Sequence, residues 1–175
     1  INTLKSSSPG IVAQSIGGGG AYIGLVTEGE NVVNFGSSGQ SITSSGQIDI
    51  KNEAKLVTAG IASPALLAQS IGGGGGYLTV STSPHFIFNG STGEGLSISG
   101  NIDVENSESI ETLGTGSQAL IAQSIAGGGG FIGDAGTTDS GVSKVVLGSS
   151  GSNDGGILLR VQNRETIWND FLATN

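Results

Sequence analysis

One phrase occurs three times in this chain, and its spacing limits the possible fold more than any other feature. AQSI followed by a glycine tract lies at 13–16, 68–71 and 122–125, so the copies are 55 and 54 residues apart. A fixed interval of this length is typical of folds built from stacked or radially arranged repeats. We therefore divide the chain into three repeats, about 1–54, 55–108 and 109–175. We treat them as one segment and expect it to be part of a longer protein.

Each repeat consists of short runs rich in Ile, Val, Phe and Thr that are separated by Gly, Ser, Asn or Pro, and such runs predict strands. IDI (48–50) and IDV (102–104) alternate as a strand with one buried face does. A propeller would need hairpin turns such as Asn-Gly at a repeating position. Asn-Gly occurs once, at 89–90. The pattern therefore favours a solenoid of parallel strands.

The low charge of the chain supports the same interpretation. Charged residues make up 11%, and like charges repel when equivalent residues stack about 4.8 Å apart. We predict an all-β fold, a parallel β-helix (β-solenoid) with about two rungs in each 54-residue repeat, although three shorter rungs also divide it. Asn52, Asn106 and Asn163 recur just after a predicted strand, where amide side chains can form an inward ladder.

The glycine tracts are placed at one recurring corner of this predicted solenoid. Glycine has no Cβ, so a tract can adopt positive φ, pack backbone against backbone, or loop outward. An aromatic residue follows each tract, after Ala21 in the first repeat and directly in the other two, and returns the chain to the core. We predict that the tracts and these aromatic residues form surface-contact loops: Gly17, Gly18, Gly19, Gly20 and Tyr22; Gly72, Gly73, Gly74, Gly75, Gly76 and Tyr77; Gly127, Gly128, Gly129, Gly130 and Phe131.

Composition excludes several classes of partner. The net charge is −8, and the six basic residues form no cluster, so nucleic acid is not an expected partner. There is no cysteine, and no apolar run approaches the roughly 18 residues of a membrane helix. We expect no disulfide and no insertion of this segment into a membrane.

Catalytic and cofactor motifs are not found in the sequence. His85 is the single histidine, which leaves no set of histidines for a metal site or a proton relay. Asp49 and Asp103 occupy equivalent positions, with Arg160 in the third repeat, and each lies between apolar neighbours. We predict that these three face solvent. No Lys follows a glycine tract, as a phosphate-binding loop requires, so we expect neither an enzyme nor a cofactor.

Three stretches carry a family resemblance: SPGIVAQSIGGGGAYIG (8–24), SPALLAQSIGGGGGYL (63–78) and SQALIAQSIAGGGGFIG (117–133). Together they resemble the repetitive passenger regions of large Gram-negative autotransporter adhesins. The resemblance implies a right-handed β-helix, type V secretion through a C-terminal outer-membrane β-barrel of the same parent chain, and display outside the cell. The third copy departs from the pattern by placing Ala126 where the others have glycine.

The expected function is therefore a non-catalytic stalk and adhesive surface. Its partner would be a host or abiotic surface, a glycan or a neighbouring cell. One alternative is a glycan-cleaving β-helix enzyme or phage tailspike, for which Asp134, Asp139 and Asp154 are the candidate acidic cluster. Another is a phage receptor-binding tip of packed polyglycine helices. An ice-binding array would need Thr or Ser in register on one face, and that pattern does not recur.

Overall fold

The computed structural model describes residues 1–26, 32–35, 42–80, 86–91, 96–134, 145–149, 153–154, 159–163 and 167–169. This part of the chain contains strands and turns but no helix, so the all-β prediction is confirmed. The strands are β1 (Asn2–Thr3), β2 (Ile11–Ile16), β3 (Gly20–Val26), β4 (Val32–Phe35), β5 (Thr43–Ser44), β6 (Ile48–Asn52), β7 (Leu56–Thr58), β8 (Leu66–Ile71), β9 (Gly75–Val80), β10 (Phe86–Ser91), β11 (Ser97–Ile98), β12 (Ile102–Asn106), β13 (Ile110–Thr112), β14 (Leu120–Ile125), β15 (Gly129–Asp134), β16 (Val145–Ser149), β17 (Asn153–Asp154), β18 (Leu159–Asn163) and β19 (Ile167–Asn169).

These strands form six short parallel sheets, and each sheet collects the equivalent strand of every repeat. We name them sheet A (β1, β7, β13, β19), sheet B (β2, β8, β14), sheet C (β3, β9, β15), sheet D (β4, β10, β16), sheet E (β5, β11, β17) and sheet F (β6, β12, β18). The strand order within each sheet follows the chain, so the second repeat lies between the first and the third.

The register corrects the predicted number of rungs. Gln14 pairs with Gln69, and Gln69 pairs with Gln123, so partners are one whole repeat apart. Two rungs in each repeat would instead pair residues half a repeat apart, and no described strand pair does so. The prediction of about two rungs is therefore wrong, and one repeat forms one layer. At about 4.8 Å a layer, three layers rise about 14 Å.

Sheet B is an internal wall with a hydrophobic cluster on each face. Leu66 and Ala68 pack with strands of sheets A and F, whereas Leu67 points the other way and packs with Tyr77 and Ile121. Every residue of β8 is buried. A strand covered on both faces carries apolar residues at consecutive positions instead of alternate ones, which explains the run LLA before the glutamine.

The corner between sheets A and B is closed by a threonine and a serine in every repeat. Thr58 Oγ1 donates to the Ser63 carbonyl at 2.7 Å, and the other two repeats make the same bond, Thr3 to Ser8 and Thr112 to Ser117. The Ser63 amide in turn donates to the Ser117 Oγ of the next layer at 2.9 Å. This hydrogen bond joins the corners of successive layers.

Candidate functional site: the AQSI strand and the glycine corner

The glutamine of AQSI forms a ladder through the three layers. Gln14 Nε2 donates to Gln69 Oε1 at 2.7 Å, and Gln69 Nε2 donates to Gln123 Oε1 at 2.6 Å. Gln69 is fully buried. A buried amide is costly unless it is paired, and in-register stacking supplies the amide partner above and below. The conspicuous glutamine is therefore a structural residue that aligns the repeats.

The serine of AQSI ties sheet B to the corner between β5 and β6. Ser70 Oγ lies 2.8 Å from Ser45 Oγ, donates to the Gly46 carbonyl at 3.0 Å and accepts the Gly100 amide at 2.8 Å. Ser124 of the third repeat makes the first two of these contacts with Ser99 and Gly100 of the second repeat. These bonds join segments 24 to 30 residues apart, so the spacing of the repeats did not reveal them.

The glycine after AQSI lies where two neighbouring backbones leave no room for a methyl group. A Cβ at Gly72 would come within 2.5 Å of the Ala126 carbonyl oxygen and 2.6 Å of the Ile98 carbonyl oxygen. A Cβ at Gly17 would meet the carbonyl oxygens of Gly72 and Ser44 at 2.7 and 2.5 Å. Glycine is therefore required at this position by the layer above and by the facing corner.

The middle of the tract needs glycine for a second reason. Gly19 and Gly74 have φ of 100° and 101°, and Gly75 and Gly76 have φ of 137° and 150°. Residues with a Cβ rarely adopt these conformations. The tract thus turns the chain from sheet B to sheet C with backbone packed against backbone, and the next strand begins at the last glycines of the tract, just before the aromatic residue.

The aromatic residues after the tracts form a continuous stack. The ring centroids of Tyr22 and Tyr77 are 5.1 Å apart at an interplanar angle of 6°, and those of Tyr77 and Phe131 are 5.2 Å apart at 9°. The Tyr22 hydroxyl donates to the Ser7 carbonyl at 3.2 Å. Burial, with a smaller contribution from Tyr77, raises the pKa of Tyr22 to about 12.

This packing corrects the prediction of surface-contact loops for most of the residues named. Residues 72–77 are all buried because a layer lies on each side of them, and residues 127–129 of the third tract are buried as well. An external ligand cannot reach the middle tract while the layers are stacked. Gly17, Gly19 and Gly20 are exposed, and they lie on the outer edge of the first layer. The tracts serve mainly as interior turns.

The predicted asparagine ladder is confirmed where side chains are described. Asn52 Nδ2 donates to Asn106 Oδ1 at 2.6 Å and to the Ala54 carbonyl at 2.7 Å. Both asparagines are buried. Asn163 pairs with Asn106 in the same register, but its side chain lies outside the described set. The asparagines hold the turn between sheets F and A in the first two layers, since Asn106 Nδ2 likewise donates to the Glu108 carbonyl.

The outer face of sheet F carries the charges, as predicted. Asp49 is exposed and Asp103 is partly exposed, and Asp103 pairs in register with Arg160. Arg160 Nε donates to Asp103 Oδ1 at 3.0 Å, Arg160 Nη2 donates to Asp103 Oδ2, and the pairing raises the pKa of Arg160. Lys51 and Glu105 line the same shallow hollow. Asp103 is therefore held in an ion pair.

The alternative catalytic residues are not brought into a described cluster. Asp134 ends β15 in sheet C and Asp154 ends β17 in sheet E, and their side chains lie outside the described set. His85 and Asp139 lie outside the described residues altogether. Within the described ranges, no group of three His, Cys, Asp or Glu side chains could hold a metal ion, and no helix could cross a membrane.

No protein-family model, no curated protein and no solved structure matches this chain.

Proposed function

We propose that the chain is a right-handed parallel β-helix with one coil in each repeat. The support for this architecture is the in-register pairing of equivalent strands in all six sheets. Six strand segments and the turns between them complete one circuit before the chain returns to sheet A one layer higher. A coil of about 54 residues is wide because sheet B divides its interior into two apolar clusters.

We further propose that this coil is a non-catalytic segment of a surface-displayed autotransporter adhesin of a Gram-negative bacterium. It would lie outside the cell, attached to an outer-membrane β-barrel of the same parent chain. The observation that carries the proposal is the unbroken glutamine ladder through all three layers. The polar side chains of AQSI form hydrogen bonds that hold the layers together. A stalk requires such bonds, whereas a catalytic site would need polar side chains that face a substrate.

We propose that adhesion involves the outward faces of the coil and not the glycine tracts. The middle tract is buried, so a host surface, an abiotic surface, a glycan or a neighbouring cell would contact the sides of the stack. The face of sheet F is the best candidate, because Asp49, Lys51 and Arg160 are exposed there and can form hydrogen bonds with a polar ligand.

The test is display of the chain on a Gram-negative cell as a fusion in front of an outer-membrane barrel. Three forms are compared for attachment to glycan-coated, cell-coated and plain surfaces: the whole chain, the chain without residues 55–108, and the barrel alone. Removing 55–108 keeps the first and third repeats in register. We expect attachment to fall with the deletion, and an antibody against a tag measures display. If cells displaying the whole chain attach no better than cells with the barrel alone, the adhesive role is wrong.

A further inference from the structure

The outer edge of the first repeat has the features of an interface that lacks its second half. Strands β1 to β6 each lie at the end of a sheet. Val12 is 39% exposed, whereas its equivalent in the second repeat, Leu67, is fully buried. Ile1 is 55% exposed, whereas Leu56 is fully buried. The edge that the first layer covers on the second layer is open on the first layer itself.

The backbone at this edge is arranged for the addition of a parallel strand. The Ile11 amide donates to the Ala65 carbonyl of the second layer at 2.9 Å. Alternate residues of a strand direct their amides to opposite sides, so the amides of Val12 and Gln14 point to the open edge. Gln14 donates its side-chain amide to Gln69 Oε1. Gln14 Oε1 is placed to accept the side-chain amide of a further layer in the same way.

The layer that fits this edge needs glycine at one defined position. The Cβ direction of Gly17 runs into the carbonyl oxygen of Gly72, and that of Gly72 runs into the carbonyl oxygen of Ala126. A further layer on the open edge would direct the same position at the carbonyl of Gly17. The occupant must therefore carry the AQSI phrase followed by glycine, which supplies a glutamine donor and no Cβ at the contact.

The opposite edge of the stack is closed to such a layer. Ala126 replaces the required glycine, so its methyl group points to where the next layer's carbonyl would lie. Strand β19 already pairs with β13 in sheet A, and it occupies the place that β1 of a second copy would need. Gly127, Gly128 and Gly129 are buried, unlike the exposed first tract. Head-to-tail stacking of two copies is therefore blocked.

We propose that the open edge of the first repeat is a docking surface for one further AQSI-glycine repeat, added as a layer of parallel strands, and not for a second copy of this chain. A layer added there would continue the interface that already joins the first layer to the second and the second to the third. Docking of this kind goes beyond the proposed function, because it does not depend on where the protein acts or what it adheres to.

The test adds a copy of residues 56–109 directly before Ile1, which preserves the register because Ile1 aligns with Leu56 and Ile110. Hydrogen exchange of the Val12 and Gln14 amides is measured in the full chain with and without the added layer. We expect exchange to slow at least about 100-fold, as for amides that become part of an internal ladder. The Leu67 amide in the second layer monitors folding in every variant.

A matched control carries the change Gly72→Val within the added copy alone. Its side chain would meet the Gly17 carbonyl, so the added layer should not dock and the Val12 and Gln14 amides should exchange as in the original chain. Equal protection in the glycine and valine forms would overturn the proposal, as would unchanged exchange in the glycine form. Sedimentation of the original chain should show one copy over a range of concentrations. Filaments that grow with concentration would show that a second copy occupies the edge.

Discussion

Replacing Gly72 by alanine tests the packing of the glycine corner at its tightest point. The new methyl group would lie 2.5 and 2.6 Å from the carbonyl oxygens of Ala126 and Ile98. An unstrained contact between carbon and oxygen needs about 3.3 Å, so each separation must grow by about 0.8 Å. Both oxygens belong to backbone, and the Gly72 amide is itself bonded to the Ile125 carbonyl at 2.8 Å.

The expected loss in the free energy of unfolding follows from the two backbone segments that the new methyl group displaces. Overpacking a well-packed site costs about 1–3 kcal/mol, and here two backbones are displaced together, so we expect a loss of about 3 kcal/mol. The assay is denaturant unfolding followed by circular dichroism, with the midpoint compared with that of the original chain.

Gly46→Ala is the matched control for this substitution. Gly46 is exposed, and a Cβ there would meet only Ser15 Oγ, at 3.4 Å. Because alanine also restricts the unfolded chain, we expect a change between zero and a gain of about 1 kcal/mol. Equal midpoints for Gly72→Ala and Gly46→Ala would refute the account of the glycine corner.

Three further predictions concern single side chains. Gln69→Leu leaves the amide of Gln14 and the carbonyl of Gln123 without their ladder partner, so we expect a loss of about 2–4 kcal/mol in the free energy of unfolding, measured by the same denaturant titration. Ser7 has φ of 52°, and its hydroxyl is buried without a hydrogen bond in the described part of the chain. Ser7→Gly should therefore raise the free energy of unfolding by about 1 kcal/mol, and a lower unfolding midpoint in the denaturant titration would contradict the strain argument. The pKa of Tyr22 rises from 10.0 to about 12 on folding, so its contribution to stability is fully present below pH 10 and is lost as pH rises through 12. The ring is only about half buried, so we expect the loss to be about 1 kcal/mol after allowance for solvent screening; Tyr22→Phe should remove this part of the pH dependence of thermal unfolding.

The repeat boundaries, the strand character and the asparagine ladder follow from sequence because they depend on residues that recur at one interval. Asn52 and Asn106 occupy equivalent positions in their repeats, and residues at equivalent positions contact each other when the repeats stack. The outward direction of Asp49 follows from simple alternation along a strand.

The number of layers in each repeat could not be obtained in the same way. Strand length and turn spacing indicate how often the chain turns. They do not indicate how many turns separate two strands that pair with each other. The consecutive apolar residues of β8 could have indicated the answer, because Leu66 and Leu67 belong to different clusters. With sheet B shared by two clusters, one repeat contributes a strand to each of six sheets before its sequence recurs.

The burial of the glycine tracts was missed for a related reason. Polyglycine read alone suggests a flexible, exposed loop, and only the position of the neighbouring layer shows that Gly72 and Gly73 are enclosed by carbonyl groups. The hydrogen bond from Ser70 to the Gly46 carbonyl was missed because Gly46 lies in the turn between β5 and β6 of the preceding repeat, 24 residues away. Neither contact has a signal in the spacing of the repeats.

The most direct test of the account is disulfide formation between neighbouring layers, because the chain has no cysteine of its own. Lys51 and Glu105 are register partners in adjacent strands of sheet F, so Lys51→Cys with Glu105→Cys should cross-link under mild oxidation. The control, Lys51→Cys with Asp103→Cys, is two residues out of register on the same strand pair. Its Cα atoms should lie about 8 Å apart, beyond the reach of a disulfide. Stacking one layer to each repeat predicts a cross-link in the first variant alone, whereas equal yields in both, or none in either, would contradict it.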